Sequence, residues 1–109
     1  MTMDVSANKR GSKARGTGNG LYFAEVTIPN KKGLHARASA QFVRCAGTFK
    51  AEIRVTREGH TVGGTSIMGL MMLAAGPGTS ITIEASGSQA AEVVDALAAL
   101  VSGRFTEEE

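Results

Sequence analysis

Hydrophobic and polar residues alternate strictly over residues 49–56. A period of two is typical of a β-strand that has one face in the core and the other in water. Three further segments are rich in apolar and β-branched residues and stop at residues that break strands. The pattern therefore predicts four strands, at residues 21–28, 49–56, 60–62 and 80–85.

Apolar residues recur at three and four positions in three other segments, which indicates helices. Serine is favoured before the first turn of a helix, and glycine is favoured after the last one. The order of elements is β-α-β-β-α-β-α, which predicts an α+β fold with helices gathered on one face of an antiparallel sheet. The predicted helices are residues 36–46, residues 67–75 and a stretch that opens at Ser86 or Ser88 and ends at Gly103.

The second predicted helix is apolar on nearly all sides. A two-layer fold buries one side of a helix, so some of these side chains should face outward, and an exposed apolar patch usually marks a partner site. We predict that Ile67, Met68 and Met71 form such a docking patch, because methionine repacks easily against different partners. The alternative is that a short helix in a small domain is simply buried all round.

The net charge of +2 divides unevenly along the chain. Residues 1–20 carry four basic side chains and one acidic one, whereas the remaining 89 residues carry eight basic and nine acidic ones. We predict that residues 1–20 are a disordered basic extension and that residues 21–109 form one domain. A nucleic-acid-binding domain would show the reverse partition, so we expect no nucleic-acid partner.

Several other classes of protein are excluded by simple patterns. The longest apolar stretch, residues 67–76, is half the ~20 residues that a membrane-spanning helix needs. No apolar segment follows the basic N-terminus, so no secretory signal is predicted, and we expect a cytoplasmic monomer with no membrane partner. Cys45 is expected to be a small buried side chain, and His60 has no second ligand at metal-binding spacing. We expect neither a metal site nor a cofactor.

His35 is the candidate for chemistry. It falls between a loop and the first predicted helix, where unpaired amide groups and the positive end of the helix dipole favour an anion. A neutral imidazole is nucleophilic, and Arg37 can bind phosphate oxygens with several donors. On the residues alone, a histidine before a helix is more often a capping or exposed residue than a nucleophile.

Two separated motifs resemble the HPr family of the phosphoenolpyruvate-dependent phosphotransferase system, over residues 21–103. Ser66 follows His35 by 31 positions, the spacing of that family. The resemblance implies an open-faced two-layer sandwich with a four-stranded antiparallel sheet, and a phosphocarrier rather than an enzyme. The motifs are Asn30-Lys31-Lys32-Gly33-Leu34-His35-Ala36-Arg37 and Ser66-Ile67-Met68-Gly69-Leu70.

The resemblance also assigns roles to three residues. His35 would accept a phosphoryl group on Nδ1 from enzyme I and pass it to an enzyme IIA-type acceptor, in sugar uptake or in a nitrogen-related regulatory branch. Arg37 would pair with the phosphoryl group. Ser66 would be phosphorylated for regulation by an HPr kinase/phosphorylase.

The chain departs from the family at Ala38, where proline is usual, at Ser39, where a small apolar residue is usual, and in its long N-terminal extension. Alanine in place of proline loosens the first helical turn and restores an amide donor. The alternative function is a non-carrier regulatory module that acts through Ser66 phosphorylation and protein binding, with His35 vestigial. An RNA-binding α+β domain is disfavoured, because the predicted domain has no excess of basic residues.

Overall fold

The computed structural model describes residues 14–17 and 20–106 of the chain. Its strands form one sheet in the order β1-β2-β5-β3-β4, and every neighbouring pair is antiparallel. The predicted α+β class is confirmed. The elements are β1 (Arg15–Gly16), β2 (Leu21–Thr27), α1 (Ala36–Ala46), β3 (Glu52–Arg57), β4 (His60–Gly63), α2 (Ile67–Met72), β5 (Ser80–Ser86), α3 (Ala90–Ser102) and a 3₁₀ turn (Arg104–Thr106).

The prediction of four strands is wrong by one. Arg15 pairs with Phe23 and Gly16 pairs with Tyr22, so β1 extends the sheet at the outer edge of β2. The prediction of a disordered extension over residues 1–20 fails for this segment, and residues 1–13 and 18–19 lie outside the described residues. The backbone N–H and C=O groups along the outer edge of β2 can form hydrogen bonds with an extended segment, whether or not the side chains of that segment are apolar. A hydrophobicity pattern therefore cannot detect β1.

The core lies between the sheet and the helices. Ile83 of β5 stands opposite Ala24 of β2 on one side and Val55 of β3 on the other, and all three are buried. The alternation predicted for residues 49–56 holds, although the strand itself begins at Glu52. Helix α3 closes the core over β2 and β5. Its buried side chains are Ala90, Val93, Val94, Leu97, Ala98 and Val101.

The ends of two helices differ from the prediction. Helix α2 ends at Met72 rather than residue 75, because Ala74 has a φ of 53° and so leaves the helical region. Helix α3 begins after Gln89, and neither Ser86 nor Ser88 caps it. Ser86 ends β5, and the Ser88 hydroxyl instead donates to the carbonyl of Lys50 at 3.4 Å. The ends of α1 and α3 at Gly47 and Gly103 are as predicted.

Cys45 lies in α1, away from the helix start at His35. Cys45 is half-buried, and burial raises the pKa of its thiol. Within the part of the chain that the structure describes, no group of three or more His, Cys, Asp or Glu side chains is placed to hold a metal ion. No helix in those same residues combines the length and the apolar character needed to cross a membrane.

Candidate functional site

The loop that precedes α1 is packed against the turn that follows α2. The Leu34 amide donates to the Ala75 carbonyl at 3.0 Å. Gly33 has a φ of 62°, and a Cβ atom at this position would overlap the same carbonyl oxygen. A side chain is therefore excluded at residue 33 on two grounds, the left-handed backbone and the lack of space.

Two buried polar side chains fix the carbonyl groups of this loop. The Asn30 amide donates to the Gly33 carbonyl at 2.9 Å, and the Ser39 hydroxyl donates to the Leu34 carbonyl at 3.2 Å. Both side chains are almost fully buried. Hydrogen bonds in such surroundings are strong because water cannot compete for them. The backbone that enters His35 is therefore held from both sides.

His35 is the N-cap of α1. Its Nδ1 atom accepts a hydrogen bond from the Arg37 amide at 3.2 Å, with an extended backbone at residue 35. An accepting Nδ1 carries a lone pair, so the proton of the neutral ring is on Nε2. The first backbone bond within the helix joins the Ser39 amide to the His35 carbonyl at 2.8 Å. The amides of residues 36–38 thus lie outside the helical ladder, and that of Arg37 binds Nδ1.

The surroundings of His35 are electropositive. No acidic residue occurs between Glu25 and Glu52, and the first turn of α1 has none. Basic residues in the same interval include Lys31, Lys32 and Arg37, all exposed. These charges add to the positive end of the helix dipole, so the site favours a bound or covalent anion.

Ser66 caps α2 as the sequence predicts. Its hydroxyl oxygen accepts a hydrogen bond from the Gly69 amide at 3.0 Å, and the residue is exposed. The hydroxyl is thus accessible to another protein while it contributes about 1 kcal/mol to the helix, as such caps do. Ser66 and His35 resemble each other in this respect, since each caps the helix that follows it.

The apolar side chains of α2 are not buried all round. Leu70 and Leu73 face the core, whereas Ile67 and Met71 are each 40% exposed and Met68 is 70% exposed. Sequence reasoning missed Met72, which is the most exposed of the set at 78%. The i, i+4 spacing of Met68 and Met72 places them on one face, which was the available signal. We call Ile67, Met68, Met71 and Met72 the α2 patch.

The structure brings the two halves of the predicted site onto neighbouring helices. Helix α1, which begins beside His35, contacts α2, which begins beside Ser66. Arg37 lies exposed in the first turn of α1, two residues after His35. Asn30 lies within the first motif, yet its role in holding the loop has no signature in the hydrophobic pattern.

Comparisons with known proteins agree with this arrangement. A family model described as the PTS HPr component phosphorylation site matches residues 23–103. The phosphocarrier protein HPr of Cupriavidus necator is 49% identical over 85 residues, which are 78% of this chain and 96% of that protein. The phosphocarrier protein NPr of Shewanella violacea is 41% identical over 83 residues, which are 76% of this chain and 91% of that protein.

Solved structures give the same result. The phosphocarrier protein HPr from Bacillus anthracis is 46% identical with a TM-score of 0.73, and the match covers 76% of this chain and 99% of that one. Fold, family model and relatives together define a phosphocarrier of the phosphotransferase system. The chain belongs to the HPr family. Membership implies partners within that system, such as enzyme I and IIA proteins.

The close approach of Gly33 to Ala75 generates a prediction. Gly33→Ala should lower the free energy of unfolding by about 2–4 kcal/mol, since it combines a left-handed backbone with a steric overlap. Gly59→Ala is the matched control, because Gly59 has a φ of 83° but nothing lies within 4 Å of its Cβ position. Urea unfolding of both variants measures the difference. Equal losses would show that the contact with Ala75 is unimportant.

Proposed function

We propose that His35 accepts a phosphoryl group on Nδ1 from phosphorylated enzyme I and passes it to an enzyme IIA-type acceptor. The observation that carries this proposal is the hydrogen bond from the Arg37 amide to Nδ1. It keeps the proton on Nε2 and leaves the nucleophilic lone pair at the open amino end of α1. A nucleophilic nitrogen and a set of amide donors are thus held at one point.

The transfer requires one bond to form and one to break. The Nδ1 lone pair attacks phosphorus as the bond between phosphorus and the donor breaks, and the electron pair of that bond stays with the donor. The Arg37 amide then has a phosphoryl oxygen as its acceptor in place of Nδ1, and the amides of residues 36 and 38 are further donors at the same helix end. Charge on those oxygens is stabilised by donors that were already oriented, so little reorganisation accompanies the step. Reversal of the same step delivers the group to the acceptor.

Arg37 is proposed to stabilise the transferring group electrostatically. Its side chain is exposed, and the residue lies in the first turn of α1, which carries no carboxylate. A guanidinium is always charged and presents several donors to phosphate oxygens. Because the Arg37 side chain is exposed, its contribution to the fold should be small.

Phosphorylation of His35 is tested by incubation with enzyme I and phosphoenolpyruvate, followed by intact-mass measurement. We expect one acid-labile phosphoryl group on the wild type and none on His35→Asn, a variant that keeps a capping side chain but has no nucleophilic nitrogen. His60→Asn is the matched control, because His60 is the second of two histidines and is exposed. Label that persists in His35→Asn would refute the carrier function.

Substitution of Arg37 should distinguish an electrostatic role in phosphoryl transfer from a role in the stability of the fold. Arg37→Ala is expected to slow phosphoryl transfer by about 10²–10³-fold, as the loss of one oriented donor does, and to leave the thermal transition nearly unchanged. Arg44→Ala, at an exposed position in the last turn of the same helix, is the control and should transfer at the wild-type rate. Loss of the thermal transition in Arg37→Ala would assign the residue a structural role instead.

Ser66 is proposed as a regulatory phosphorylation site for an HPr kinase/phosphorylase. Its hydroxyl lies at the amino end of α2, where added negative charge is tolerated by the helix. A phosphate there adds a charge of ~−1.5 to −2 beside the α2 patch. Docking of an apolar partner surface on that patch would then require desolvation of the phosphate. The proposed effect is weaker docking of enzyme I without a change of fold.

Charge and capping at Ser66 are separated by two substitutions. Ser66→Asp and Ser66→Asn both retain a capping oxygen, but only the aspartate adds charge. We expect Ser66→Asp to be phosphorylated at His35 more slowly than the wild type at low ionic strength, and Ser66→Asn to match the wild type. If both variants are phosphorylated at the wild-type rate, Ser66 is only a cap. Phosphorylation of Ser66 in a protein whose His35 stays unmodified would support the alternative of a non-carrier regulatory module.

A further inference from the structure

Arg57, the last residue of β3, is bound to the end of α2. Its side chain is 22% exposed, and the Nη1 atom donates to the carbonyl of Leu73 at 3.0 Å. The Nη2 atom lies 3.6 Å from the carboxylate of Glu58, which is itself largely exposed. The Nε atom is buried without a hydrogen-bond partner among the described residues. The guanidinium thus donates a hydrogen bond to the carboxyl end of α2.

Helix α2 has few groups of its own that could stabilise the carbonyls at its carboxyl end. It is six residues long and has no basic residue in its last turn. The last carbonyls of a helix lack partners within the helix and carry partial negative charge, and helices this short are unstable without outside contacts. Arg57 supplies both a donor and a positive charge to Leu73, the C-cap residue.

The residues after Leu73 lead directly to the His35 loop. Ala74 adopts a left-handed backbone with a φ of 53°, which an alanine rarely does unless its neighbours hold it. The carbonyl of the next residue, Ala75, accepts the hydrogen bond from Leu34, which precedes His35. A single residue, Ala74, therefore separates the residue whose carbonyl Arg57 binds from the residue whose carbonyl supports the His35 loop.

We propose that Arg57 is a positioning residue that holds the turn of residues 73–75, and that it thereby fixes the α2 patch relative to His35. The role rests on the proposed function, because a partner that docks on the α2 patch must reach Nδ1 from there. Arg57 does not touch the phosphoryl group in this role. It acts through the Leu73 carbonyl and the backbone that follows.

The kinetic test compares two arginines of one strand. Arg57→Met keeps an apolar stem and removes the donors, whereas the control Arg54→Met removes a half-buried guanidinium that binds Glu84 of β5 and not α2. For Arg57→Met we expect the KM for phosphorylated enzyme I to rise about tenfold, the factor that one charge-assisted hydrogen bond typically supports. The kcat should stay within about twofold, because the groups around Nδ1 are intact. Arg57→Lys should recover part of the loss, since lysine restores a charged donor.

A second measurement does not depend on phosphoryl transfer. Amide hydrogen exchange in the unphosphorylated protein reports the Leu34 amide, whose acceptor is Ala75. Arg57→Met should accelerate exchange at Leu34 by about tenfold, since the turn opens locally, while amides of β5 keep their protection. Arg54→Met should leave Leu34 unchanged.

The outcomes separate this inference from the proposed function. An unchanged KM together with unchanged exchange at Leu34 would overturn the role of Arg57, as would equal effects in Arg54→Met. Loss of the folded state in both Arg57→Met and Arg57→Lys would also overturn it, because Arg57 would then serve the whole fold. If the wild type is not phosphorylated at His35, the proposed function fails, and altered exchange at Leu34 would still support the structural link.

Discussion

The hydrogen bond from the Leu34 amide to the Ala75 carbonyl joins the loop before α1 to the turn after α2. Gly33 lies against that same carbonyl, so the two backbones meet without a side chain between them. Asn30 and Ser39 then bind the remaining carbonyls of the loop from within the core. The orientation of the His35 ring is defined relative to this contact, and so is the distance from His35 to the helix on which a partner is proposed to dock.

Two helices of this protein begin at the side chains that are proposed to carry phosphate. His35 and Ser66 each accept an amide hydrogen bond from the helix that they precede, through Nδ1 and Oγ respectively. A helix start concentrates unpaired amides and positive potential. The same feature that makes each residue a good cap also makes it a tolerable place for a phosphoryl group. In the proposed function, local folding and group transfer therefore use one set of donors.

Local patterns predicted most of the fold. Alternation over residues 49–56 and the glycines at 47 and 103 marked elements that the structure contains, because burial on one face and a helix end both constrain single positions. Strand β1 escaped detection because its pairing uses backbone groups only. Ser88 failed as a cap because Lys50, 38 residues away in sequence, binds its hydroxyl. A contact between residues so far apart in the sequence produces no local sequence pattern.

The candidate site was predictable where it depends on residues that are close together in the sequence. The motif around His35 and the serine at residue 66 are local, and their places at helix starts followed from the pattern of elements. Ser39 could be noted as an unusual residue, but its bond to Leu34 depends on how the loop folds back. Arg57 gave no signal at all, since its partner Leu73 is brought near only by the path of the chain from β3 through β4 and α2. Contacts between side chain and backbone have no sequence pattern of their own.

Strand β1 and helix α2 lie at opposite edges of the sheet. The strand joins the sheet at the edge of β2, whereas α2 contacts β4 at the opposite edge. The Ala14 amide binds Asp95 of α3 at 2.7 Å, which fixes the point where the preceding chain enters the domain. Ala14 therefore lies at the opposite edge of the sheet from the strand that α2 contacts. Changes in the length or charge of the segment before Ala14 can thus arise without altering the residues of the α2 patch.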